Sequence, residues 1–459
     1  MMKSLASLAL TLLAAPLLAQ TAQPVLMISV DGMKPEYVTH ADEHHLKLPN
    51  LRRILHDGVY ADGVTGVFPT VTYPNHTTLV TGVWPAEHGI YNNQRFDPEH
   101  KLNSAWYWYA PQIKVATLWS AAHAAHETTA SIGWPVTVDS PDIDYLIPEY
   151  WHGSGPGDNA NPDDRLLMES VSRPLGEVAR IAERTGTPYM NGNDTEISGD
   201  QVKTTYALDI LKQHKPMLMT IHLSSLDEAE HLHAPFSEDA NADLEQIDTL
   251  VGKLVDQELA NYPNAVIAIV SDHGFARIDH SVNFYVPFIE AGLIEPGKPG
   301  AAGAISVKSW KAEPWLGGGM AAIMLHDPND TATRDQVKTL LTKLAADPAN
   351  GIVRVLDHDA LGKLGGFPDA SFLVTLKVGY VTGPALTGPF VTELAGQLGT
   401  HGFDPIAVPE MHSSFFVMGK GIAAGKDLGQ IDMRQIAPTI AHLLHVSLPT
   451  ATQPVLSLK

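Results

Sequence analysis

The sequence predicts an α/β fold with a mostly parallel central sheet flanked by helices. Three features predict it. First, three continuous apolar runs read as strands buried on both faces: VLMISV (Val25–Val30), MLMTIHLSS (Met217–Ser225) and AVIAIVS (Ala265–Ser271). Second, helical periodicity lies between them. Third, a carboxylate stands at or just past the end of each run: Asp31, Asp227 and Asp272. In open parallel sheets, sites form in the crevice outside the strand C-termini. Three acids are therefore expected at one edge.

The elements follow in chain order. Residues 1–19 (MMKSLASLALTLLAAPLLA) carry an early cation, Lys3, then an apolar run from Leu5 to Leu18. This is the outline of a cleaved secretory signal peptide. The run is shorter than the roughly 20 residues needed to span a bilayer. The mature chain, 20–459, is expected to be secreted or periplasmic, without a stable membrane span. Phe68–Gly82 (FPTVTYPNHTTLVTG) reads as a polar turn, with a helix beginning at residues 77–83. A threonine hydroxyl in such a turn is a poor nucleophile unless a base or a metal ion stands beside it.

In LDEAEHLHAP (Leu226–Pro235), Asp227 and His231 are four apart, so a helix puts both on one face. A carboxylate and an imidazole so placed suit zinc, although the pattern alone is common on solvated helices. His222 and His233 read as bystanders. Leu244, Ile247, Leu250, Val251, Leu254 and Val255 recur with helical period and lead into the third strand. There, SDHGF brings Asp272 and His273 to a strand-to-loop turn, with Gly274 expected to permit the bend.

EPGKPGAAGA (Glu295–Ala304) is a loop by composition. Residues 276–400 read as a smaller subdomain inserted before the last part of the site, GTHGFDP, which supplies His401. His412 reads as structural, ahead of a strand at Phe415–Met418. Asp432 and Gln435 form a capping box, with Pro438 arguing for a later helix start.

Composition narrows the chemistry. The chain has 459 residues, 44% hydrophobic and 18% charged, with a formal charge of -21. That balance argues against a nucleic-acid duplex as partner. Small anions remain possible substrates, because a bound metal outweighs the global field. With no cysteine in the chain, disulfides, thiolate metal sites and thiol catalysis are excluded. Asp31, Asp227, His231, Asp272, His273 and His401 make a count that fits two metal ions with three protein ligands each, leaving positions open for a nucleophile and a substrate oxygen.

In order, ISVDGM, FPTVTYPNHTTLVTGVWPAEHGIYNN, D-x3-H-x3-P, SDHG and HGFDP resemble the nucleotide pyrophosphatase/phosphodiesterase family of the alkaline phosphatase superfamily. The resemblance runs from about Val25 to near His445 and is weakest over 276–400. It implies an alkaline-phosphatase-like core and two Zn2+ ions. Asp31, Asp272 and His273 would hold one ion, which also meets Thr72; Asp227, His231 and His401 would hold the other. Thr72 would be the nucleophile, Thr70 its structural neighbour and Asn93 the donor to a phosphoryl oxygen. Tyr73 and Tyr150 would sandwich a base.

The implied activity is cleavage of phosphodiester or pyrophosphate bonds in a small nucleotide-type substrate, through a phospho-threonine. The rival readings are a threonine-nucleophile phosphomonoesterase, a phosphonate hydrolase, a choline-type diesterase and a catalytically dead metal-binding protein. The monoesterase reading would draw a cation such as Lys308 or Lys311 into the site. Sulfatase chemistry needs a Cys or Ser that TYPNH does not supply.

Overall fold

The computed structural model describes residues 22–99, 102, 105–152, 163–297 and 307–459. The expected signal peptide, 1–19, lies outside the described residues, as does most of the 295–304 loop.

An eight-stranded sheet forms the centre. Its strands are β1 (Val25–Val30), β2 (Val59–Tyr60), β3 (Thr129–Ile132), β4 (Tyr145–Ile147), β5 (Leu218–Leu223), β6 (Val266–Val270), β7 (Phe415–Gly419) and β8 (Lys426–Asp427). They are ordered β8-β2-β7-β6-β1-β5-β3-β4. The five strands from β6 to β4 run parallel, and β7 is antiparallel to β6. The three apolar runs are the adjacent strands β6, β1 and β5. Alternation sends their side chains to both faces: Leu26, Ile28 and Val30 to one core, Val25 and Met27 to the other.

Helices cover each face. On the first lie Pro49–Asp57 and two longer helices, Ile197–His214 and Glu238–Asn261. The second is covered by Thr72–Thr81, Leu118–Ala124 and Ile436–Leu443. The capping box of Asp432 and Gln435 sits on a short 3₁₀ turn, Met433–Gln435, and the α-helix starts after it at Ile436. Pro438 therefore falls in the first turn, where its missing N–H costs nothing.

Between 276 and 400 the described strands join separate sheets. Ala312–Leu316, Met320–Leu325, Ile352–Asp357 and Phe372–Leu376 make a four-stranded antiparallel sheet. Ala276–Val282 pairs with Gly379–Thr382 and with Val391–Thr400. That last strand runs back from these sheets to His401.

Candidate active site

Because β1, β5 and β6 are parallel and in register, with Val30 opposite Leu223 and Ser29 opposite Val270, their C-termini share one edge. Asp31 and Asp272 leave that edge directly. Two residues after β5, the helix Ser225–His233 begins and turns Asp227 and His231 to the same place. Asp272 Oδ1 accepts from Gly32 N at 3.2 Å, tying two strand ends together. Gly274 has no positive φ; its role is close approach, since a Cβ there would lie 2.2 Å from the Glu410 carbonyl oxygen. The sharp-bend expectation is thus replaced by a packing one.

Two groups of ligand-type side chains converge: Asp31, Asp272 and His273; and Asp227, His273 and His401. His273 Nε2 lies 3.0 Å from Asp272 Oδ2 and 3.5 Å from Asp31 Oδ1. His231 Nε2 and His401 Nε2 flank the Asp227 carboxylate at 3.4 and 3.7 Å. Each imidazole is steered by its other nitrogen. His231 Nδ1 faces Gly399 O at 3.1 Å and His401 Nδ1 faces Thr70 O at 3.0 Å. Such backbone contacts fix which ring nitrogen is turned inward.

These residues fit metal ions on their own chemistry. Asp31 Oδ1, Asp227 Oδ1, Asp272 Oδ2 and His273 Nε2 are buried without a well-aligned hydrogen bond, the 3.0 Å contact between the last two included. Buried polar atoms left unpaired are costly, and divalent cations held by the two groups would satisfy them. The electrostatics agree. Burial, then the neighbouring Asp272 and Asp227, push the Asp31 carboxyl well above the usual carboxylate range. Burial also opposes charge on His273, but Asp272 and Asp31 outweigh it and raise the imidazole to about 9. The cluster is short of positive charge.

Thr72 opens the helix Thr72–Thr81 and is its one residue that is not buried. That start is earlier than the expected 77–83, because Val71 is extended and Pro74 falls within the first turn. Two of the N–H groups at this start already have acceptors. Tyr73 N donates to Asn93 Oδ1 at 2.9 Å, and Asn75 N donates to Val71 O. Asn93 is thereby oriented with its amide Nδ2 as the remaining polar edge. Thr70 is buried. Its hydroxyl donates to Phe403 O at 2.7 Å and its carbonyl accepts from Gly402 N, so the turn before Thr72 anchors the His401 loop.

A cleft of about 270 Å³ holds Asp31, Thr72, Asn93, Asp227, His231 and His401 in its lining. Asp272 and His273 lie beneath, fully buried. Tyr73 reaches the cleft but is only 1% exposed, and its hydroxyl donates to Glu149 Oε1 at 2.7 Å. Tyr150 does not line it; its ring packs on Trp108, and its hydroxyl meets that of Tyr109 at 3.2 Å. Among the described residues, the aromatics that share the cleft with Tyr73 are Trp106, Trp151 and Tyr189.

His222, read from sequence as a bystander, instead bridges the site. Its Nε2 lies 2.9 Å from Asp31 Oδ2 and its Nδ1 3.2 Å from Glu149 Oε2. The signal was there: a histidine inside a buried apolar strand needs partners. His412 lies against Gly63, apart from the cleft lining. Lys308 pairs with Glu295 on an exposed hairpin, and neither it nor Lys311 lines the cleft. Among the described residues, the one Lys or Arg that does is Lys203.

The model for the "Type I phosphodiesterase / nucleotide pyrophosphatase" family matches residues 25–404. The chain belongs to this family. Among its relatives in the family, murine ectonucleotide pyrophosphatase/phosphodiesterase family member 1 is 25% identical over 271 residues, covering 55% of this chain and 24% of the relative. A Caenorhabditis elegans ectonucleotide pyrophosphatase/phosphodiesterase is 28% identical over 267 residues, 56% of this chain and 29% of the relative. The chain thus spans about a quarter of the length of the curated relatives it matches.

In solved structures, human ectonucleotide pyrophosphatase/phosphodiesterase 5 superposes with TM-score 0.63 at 19% identity, covering 94% of this chain and 96% of that one. The murine counterpart, an inactive threonine-to-alanine variant in complex with AMP, superposes with TM-score 0.61 at 18% identity, with 94% and 96% covered. The fold is therefore the α/β, alkaline-phosphatase-like fold of the phosphodiesterase family. That family is metal-dependent, and its name denotes hydrolases of phosphoric ester and anhydride bonds. No helix of the described residues is long and apolar enough to cross a membrane.

Proposed function

We propose that this chain hydrolyses phosphodiester or pyrophosphate bonds of nucleotide-type substrates, with Thr72 as nucleophile and two Zn2+ ions as cofactors. The observation that carries the reading is that Thr72, alone unburied in its helix, opens into the cleft that Asp31, Asp227, His231 and His401 also line. Asp31, Asp272 and His273 would hold one ion; Asp227, His231 and His401 would hold the other. Ions bound there supply Lewis acidity toward phosphoryl oxygens and make a neighbouring hydroxyl easier to deprotonate.

The chain's own residues do the rest. Thr72 Oγ forms a bond to phosphorus as the bond to the leaving oxygen breaks. The hydroxyl proton goes to solvent and the leaving oxygen is protonated from it. Water then cleaves the phospho-threonine, restoring Thr72 and releasing the second product. Asn93 donates to a non-bridging oxygen. As a neutral donor it favours the monoanion of a diester over the dianion of a monoester. The AMP named with the murine neighbour supports a nucleotide-type substrate. The leader expected at 1–19 supports a secreted or periplasmic enzyme.

The test is kcat/KM on thymidine 5′-monophosphate p-nitrophenyl ester against p-nitrophenyl phosphate, with zinc content measured. The diester is expected to be faster by a factor of ten or more. A faster monoester would contradict the reading and favour the phosphomonoesterase one.

A further inference from the structure

The helix that carries Asp227 and His231, Ser225–His233, begins without a cap of its own, since the Ser224 side chain makes no capping bond. Unmet N–H groups at a helix start need acceptors. Here a remote carboxylate supplies them. Asp200, on the helix Ile197–His214, accepts from Ser224 N at Oδ1 and from Ser225 N at Oδ2, each at 3.0 Å. It is fully buried. Lys203, about one turn further on, closes the arrangement: its Nζ donates to Asp200 Oδ1 at 3.0 Å and to Ser224 Oγ at 2.7 Å. Its stem runs past Gly133, where an added Cβ would stand 3.3 Å from Lys203 Cδ.

This is more than a buried ion pair. A carboxylate that accepts two successive backbone N–H groups fixes both the position and the direction of a helix start. Asp227 sits in that same first turn. A small rotation there would carry its carboxylate away from His401, and His231 with it. The other group of ligands is held differently: Asp31 and Asp272 leave β1 and β6 directly, and Asp200 bonds to neither.

We propose that Asp200 and Lys203 form a positioning clamp that sets the metal affinity of the Asp227–His231–His401 group and leaves that of the Asp31–Asp272–His273 group unchanged. This rests on the two-metal reading above. Neither residue is a ligand; both act through the start of the helix that carries two ligands. Partners one shell out from a metal commonly change its affinity by roughly 10–100-fold.

The experiment is a zinc titration against a chromophoric chelator, with circular dichroism and Tm recorded on the same samples. The proteins are wild type, Asp200→Ala, Asp200→Asn, Lys203→Met and, as a reference for the other group, Asp272→Asn. Wild type is expected to bind two ions. Asp200→Ala should keep one at wild-type affinity and bind the second at least ten-fold more weakly, with its circular dichroism spectrum retained. Lys203→Met should fall between. Should Asp200→Ala not fold, Asp200→Asn, which keeps the shape but loses an acceptor oxygen, is expected to weaken the same single ion. Two ions at wild-type affinity in the folded Asp200 variants would overturn the clamp, as would equal weakening of both. A wild-type protein that binds fewer than two ions would overturn the two-metal reading itself, and the clamp's role with it.

Discussion

The rings of His273 and His401 stack with centroids 3.8 Å apart and planes within 14° of parallel. One follows β6; the other follows the strand Val391–Thr400, which returns from the separate sheets of 276–400. This stack is where the two ligand groups share a wall, and it joins the central sheet to the later part of the chain.

His401→Ala is therefore expected to lose metal before fold. His401 is 8% exposed and held by a backbone contact at Thr70, so its removal opens the cleft and not a core. Zinc per chain should drop by about one ion with circular dichroism unchanged. His412→Ala should retain both ions. The reverse pattern would reassign the ligands.

The second prediction concerns the aromatic wall. Trp106 is bridged to Gln94, next to Asn93, and its ring lies 5.2 Å from Tyr73 and 5.0 Å from Trp151. It is partly exposed in the cleft, whereas Tyr150 lies outside the lining. Trp106→Ala should raise KM for the thymidine diester about five-fold, roughly 1 kcal/mol of lost stacking. It should change methyl p-nitrophenyl phosphate much less. Tyr150→Ala should leave both substrates within about two-fold. A larger effect at Tyr150 would restore it as the stacking residue.

Which parts of this site were legible in the sequence follows from the physics of each. Strands buried on both faces leave unbroken apolar runs, so β1, β5 and β6 and the acids at their ends stood out. The helix from 238 to 261 showed because one face of it is buried. The start at Thr72 did not show, because that helix is buried almost all round and carries no amphipathic stripe. His222 and Glu149 were missed because their partners lie 191 and 76 positions away, at Asp31 and Tyr73. Asp200 and Lys203 belong to no motif; only the packed fold puts the start of another helix against them. Tyr150 was read from its motif, and packing turned its ring toward Trp108.

A third prediction uses a buried acid away from the site. Glu313 is 3% exposed, its Oε2 has no hydrogen-bond partner, and burial pushes its carboxyl up to about 8. The folded state thus holds this proton more tightly than the unfolded chain, whose Glu titrates near 4.3. The linked stability is full below about pH 4.3 and is lost as pH rises toward 8. Glu313→Gln removes that dependence. Wild-type Tm should fall relative to the variant across pH 5 to 8 by several degrees. Parallel Tm–pH curves would contradict the assignment.

The central claim is that Thr72 attacks phosphorus in a two-metal site. Its most direct test is the Thr72→Ala variant, assayed on the thymidine diester with zinc measured in the same sample. Losing an activated nucleophile should raise the barrier by about 4 kcal/mol or more. The account predicts a fall in kcat of at least a thousand-fold with two zinc ions per chain retained. Activity above about a tenth of wild type, with zinc in place, would contradict it.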